Sequence, residues 1–69
     1  MQTMKVVEKC ELTYPQYRMF CSKLTEVPSM SRFGFIVDYD KTVDIFTVKV
    51  YEQSDLRIHD MLLASKREA

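Results

Sequence analysis

Glycine and proline are nearly missing from this chain: one Gly and two Pro in 69 residues, with no low-complexity tract and no repeat. That composition excludes a linker or a disordered tail. Net charge is missing too, since ten acidic residues offset ten basic ones. A neutral chain has no bulk attraction to nucleic acid or anionic membrane, although a local patch can still form. No apolar run approaches the roughly 20 residues needed to span a bilayer, and the opening MQTMKVVEKC has no stretch of signal-peptide length. A soluble cytoplasmic protein is the expectation.

Cysteine and histidine are equally scarce. Cys10, Cys21 and His59 stand 11 and 38 positions apart, a pattern that fits no zinc spacing and contains no C-x-x-C pair. Neither a metal nor any other cofactor is expected. Without a secretory signal, the two cysteines read as reduced thiols serving as small apolar side chains. What is present in quantity is apolar surface: 46% of the residues are hydrophobic. This supports one domain over residues 1–69, with a thin core, because a chain of this size hides only about 60% of its unfolded surface.

The hydrophobic pattern predicts the elements. From Thr3 to Leu12 the chain alternates, with Met4, Val6, Cys10 and Leu12 on one side and Thr3, Lys5, Lys9 and Glu11 on the other, broken at Val7 and Glu8. A helix follows: Thr13 is its cap, Gln16 its capping-box partner, Pro15 sits in the first turn, and Tyr17, Phe20, Cys21 and Leu24 recur at helical spacing before Pro28. The stretch RFGFIVDYDKTVDIFTVKVYE then gives two strands around a turn at Lys41 and Thr42. That register sets Phe33, Phe35 and Val37 opposite Val50, Val48 and Phe46 as core, and leaves Ile36, Ile45 and Tyr51 exposed. A last helix begins after Ser54 as cap and runs to about Ser65 or beyond. Its apolar residues form two stripes, Ile58, Met61 and Leu62 against Leu56 and Leu63, the second flanked by His59. Two stripes predict burial on two sides.

The expected fold is therefore α+β in the order β-α-β-β-α, a three-stranded sheet with both helices on one face. It resembles a ferredoxin-like unit lacking its last strand, a likeness of pattern only, in which the first strand has no outer neighbour.

Candidate chemistry is thin. FIVDYDKTV has the form in which haloacid-dehalogenase-type phosphatases present a nucleophilic aspartate, yet it runs straight into a second strand, Lys41 stands where a Gly is usual, and 29 residues after Asp40 cannot supply the rest of that domain. Asp38, Asp40, Thr42 and Asp44 fail as a calcium loop, lacking the turn Gly and carrying Lys49 at the twelfth position. His59 has no nucleophile or orienting carboxylate placed beside it, because Asp60 points about 100° away on a helix. No catalytic residue is expected, and no small-molecule substrate. The expected function is a small non-enzymatic protein–protein interaction module or regulator, of inhibitor or adaptor type, that binds a partner protein or itself as a homodimer through Leu56, His59 and Leu63. The alternative is RNA or single-stranded nucleic-acid binding on the outer sheet face by Arg32, Ile36, Ile45, Lys49 and Tyr51, with Lys5 and Lys9 nearby.

Overall fold

The computed structural model describes residues 5–67. The elements are β1 (Val6–Leu12), α1 (Tyr14–Leu24), a short 3-10 turn (Ser29–Ser31), β2 (Phe35–Asp40), β3 (Ile45–Tyr51) and α2 (Leu56–Arg67). This is the expected order; the part of the first strand predicted at Thr3 and Met4 lies outside the described residues. The sheet runs β1-β3-β2, with β3 antiparallel to both neighbours. The hairpin forces β2 beside β3, so β1 takes the remaining side of β3 and α1 crosses over to connect two strands of the same direction. β1 and β2 are thus the two edges. No helix among the described residues is long and apolar enough to cross a membrane.

The break in alternation at Val7 and Glu8 has a structural meaning. Val6 pairs with Tyr51 and Glu8 with Val50, so Val7 is the extra residue of a β-bulge. The register of the hairpin differs from the expected one by two residues: Phe35 stands opposite Val50, Val37 opposite Val48 and Tyr39 opposite Phe46. Four residues, Lys41–Asp44, form the turn instead of two. Asp44 closes it with φ 56°, a left-handed conformation that Asp tolerates better than most residues. Asp40 holds it by accepting hydrogen bonds from the Thr42 amide and hydroxyl, and Tyr39 donates its hydroxyl to Asp44 at 2.8 Å.

A slip of two keeps every side chain on its predicted face, but it shifts the ends. Phe33, expected in the core, is 52% exposed. Gly34, with φ +82°, turns the chain just before β2 and leaves Phe33 outside the ladder. Ile36 is exposed as expected. Ile45 and Tyr51, expected to be exposed, are half-buried, because β3 is the central strand and neighbours flank them on both sides.

The core is one cluster of Cys10, Leu12, Phe20, Val48, Val50, Ile58 and Leu62, to which both helices contribute from the same face of the sheet. Tyr17 stacks on Phe46 at 4.2 Å between ring centroids, and Phe20 meets Phe35 edge-on at 5.9 Å. Each fully buried aliphatic side chain contributes about 1.5–3 kcal/mol, so a few such residues carry most of the stability of a domain this small. At the start of α1 the Gln16 side-chain oxygen Oε1 accepts the Thr13 amide at 2.9 Å, as the capping box predicts. The start of α2 differs from expectation by one residue: Asp55, not Ser54, is the cap, accepting the Arg57 amide at 2.8 Å. Ser54 is buried against Gly34 instead.

Candidate interaction surface

The side chains of α2 divide into three sectors. Ile58, Leu62 and Ser65 face the sheet and are buried. Asp60, Met61 and Ala64 line a shallow groove with Lys23 and Glu26 at the end of α1. The third sector, at about 100° per residue, carries Leu56, His59, Leu63 and Lys66 away from α1. Leu56 is 77% exposed and Leu63 36%, while His59 is half-buried. The stripe predicted from sequence is therefore brought together on one helix flank.

Lys66 shows where that flank points. Its Nζ donates to the main-chain oxygen of Glu11 in β1 at 2.6 Å, and its own carbonyl accepts from Gln16 Nε2 at 3.1 Å. Through Lys66 this flank reaches β1, the strand over which α2 mainly lies. The phase of the main chain settles which groups lie beneath it. The Tyr51 amide donates to Gly34 at 2.7 Å and the Glu52 amide to Lys5 at 2.9 Å, so odd-numbered residues of β3 address β2 and even-numbered ones address β1. Cys10 and Leu12, paired with Val48 and Phe46, therefore turn their main-chain groups inward. Lys9 and Glu11 turn theirs to the free edge. No strand pairs with that edge among the described residues.

The outer sheet face is a second exposed surface, built of cross-strand rows. Lys9, Lys49 and Ile36 form one row; Glu11, Thr47 and Asp38 form the next; Ile45 and Asp40 follow toward the turn, and Val6 and Tyr51 lie toward the other end. Two lysines directly opposite each other repel, and no ion pair to either is formed among the described residues, where the pair present is Asp55 with Arg57. Arg32 is not brought to this face. Its guanidinium donates to the carbonyls of Val27 at 2.7 Å and Thr25 at 3.2 Å, fastening the loop after α1.

The other candidate chemistry resolves into structure. Asp38 lies on the outer face, and Asp40 and Asp44 pin the hairpin turn. The hydroxyl and amide of Thr42 hold the Asp40 carboxyl below its ordinary pKa. Both cysteines are free thiols; burial, with Glu8 nearby, pushes Cys10 up. No cluster of three or more His, Cys, Asp or Glu converges among the described residues. Sequence reasoning named the helix stripe but missed Glu11 and Lys66 as its neighbours, because only the fold brings β1 and the end of α2 together. Compared with models of known families, with curated proteins and with solved structures, the chain matches none.

Proposed function

We propose that this protein is a small non-enzymatic interaction module, a regulator of inhibitor or adaptor type that binds a partner protein through the flank of α2 and the edge of β1. One observation carries the reading: α2 leaves Leu56 and Leu63 exposed beside the half-buried His59 and lies over β1, a strand whose Lys9 and Glu11 main-chain groups face an open edge. Uncovered apolar side chains and open main-chain groups, side by side, form the two halves of a protein-binding surface. Affinity capture with the wild type and with Leu63→Lys tests it, Ile36→Lys on the outer face serving as control. A partner retained by the control and lost by Leu63→Lys supports the reading. A partner lost only by the control refutes it.

Nucleic-acid binding on the outer face is the second reading, favoured by the Lys9–Lys49 pair beside Tyr51. Glu11 and Asp38 in the adjoining row oppose it by repelling phosphate. Titration with mixed-sequence single strands at low salt decides between them, since binding there would fall steeply with added salt and with Lys49→Glu.

A further inference from the structure

We infer that the outer face of the sheet is a self-association surface, on which a second copy of this chain lies face to face about a two-fold axis running across the strands. Both helices pack on the inner face, and the outer side chains of all three strands are exposed or half-buried. This surface is separate from the flank of α2, so either conclusion can fail while the other stands.

The order of the rows selects the occupant. Along the strands an apolar row at Val6 and Tyr51 is followed by a basic row at Lys9 and Lys49, an acidic row at Glu11 and Asp38, and a row at Ile45 beside the turn. Within each middle row the charges are alike; between the two rows they are opposite. Reversed end to end, such a series is its own complement. A two-fold axis across the strands, midway between the basic and acidic rows, sets each strand over its own counterpart in the opposite direction. Lys9 then faces Glu11 of the second copy, Lys49 falls between the Glu11 and Asp38 that flank Thr47, and Tyr51 covers Ile45. A two-fold axis along the strands would instead lay Lys49 on its own copy, so charge fixes the orientation.

Distance and charge balance agree with this pairing. Stacked sheets stand about 10 Å apart, a gap that a lysine and a carboxylate side chain span together, and twisted sheets pack with about 30° between their strands. Lys9 stands against Lys49 with no ion pair to either among the described residues, so the opposed acidic row relieves a repulsion that one copy leaves in place. A nucleic-acid strand, negative throughout, suits the basic row and is repelled by the acidic one. The face is only three strands wide, which puts the contact among small, weak interfaces.

Sedimentation equilibrium of the full chain, from low to high micromolar at low salt and with no other macromolecule, is the test. The wild type should dimerise, and added salt should weaken the dimer. Lys9→Glu with Lys49→Glu makes both rows acidic and should weaken association about tenfold or more; Glu11→Lys with Asp38→Lys makes both basic and should do the same. All four substitutions in one chain exchange the rows, keep the net charge, and should bring the dimer back to near wild-type strength. Leu63→Lys should leave it unchanged, and circular dichroism checks that each variant is folded. A wild type that stays monomeric at high micromolar concentration, a dimer indifferent to both double variants, or a row exchange as weak as the doubles overturns the inference. So does a dimer abolished by Leu63→Lys, which would move the contact to α2, or a monomer that binds a mixed-sequence single strand through Lys49, which would give the face to nucleic acid.

Discussion

Lys66, in the last turn of α2, is tied by its Nζ to the main-chain oxygen of Glu11, 55 positions earlier in the chain and 2.6 Å away. This bond links the far end of the last helix to the edge of the first strand. Both groups are exposed, which limits its worth to about 1 kcal/mol or less. Lys66→Ala should lower stability in equilibrium urea unfolding by no more than that, and a loss several times larger would mean that the bond organises the whole end of α2.

The phenylalanines separate core from surface. Phe20 is fully buried and Phe33 half exposed. Phe20→Ala should cost about 3–5 kcal/mol, enough to unfold a domain of this size, whereas Phe33→Ala should cost about 0.5 kcal/mol. Equal losses in the two variants, measured by urea unfolding, would place Phe33 inside the core after all.

Gly34 is held both by its backbone and by its surroundings. Its φ of +82° disfavours any L side chain, and an added Cβ would lie 2.8 Å from the Cα of Ser54. Gly34→Ala should therefore destabilise by more than about 1 kcal/mol. A thermal midpoint unchanged from wild type would show that the two loops separate freely.

Asp55 gives the fold a dependence on acid. The guanidinium and amide of Arg57 hold its carboxyl at about 2, below the ordinary 3.8. A carboxyl depressed in the folded state stabilises fully above its unfolded pKa and loses that contribution as pH falls through the folded value. The stability difference between wild type and Asp55→Asn should thus be present near neutral pH and shrink between about pH 4 and pH 2. The pair is exposed, so added salt should reduce the difference as well. A difference that stays constant over that range would assign the role of Asp55 to packing rather than charge.

How much of this was legible in the sequence depends on the range of the interaction. Alternation and capping are local, and they located all five major elements. Facing survived an incorrect register because side chains alternate with period two, so Phe35, Val37, Val48 and Val50 point inward in either pairing. The turn was misjudged because Asp44 accepts a left-handed backbone without being glycine. Arg32 was placed on the sheet face because nothing local reveals that two loop carbonyls, at Val27 and Thr25, take up its guanidinium. The stripe of Leu56, His59 and Leu63 could be read from helical spacing alone. That α2 lies over β1, with Lys66 bonded to Glu11, could not, since it follows from which side of β3 the first strand occupies.

Cys10 sits beneath α2 among Leu12, Ile58 and Leu62, covered and held in its neutral form by burial. An alkylating reagent needs both access and thiolate, and the closed structure offers little of either. In a Cys21→Ser background, the rate at which Cys10 is modified therefore counts how often α2 lifts from β1. A partner bound across α2 and β1 would slow that clock. The buried thiol is in effect a kinetic gauge of the opening of the very surface on which a partner would dock.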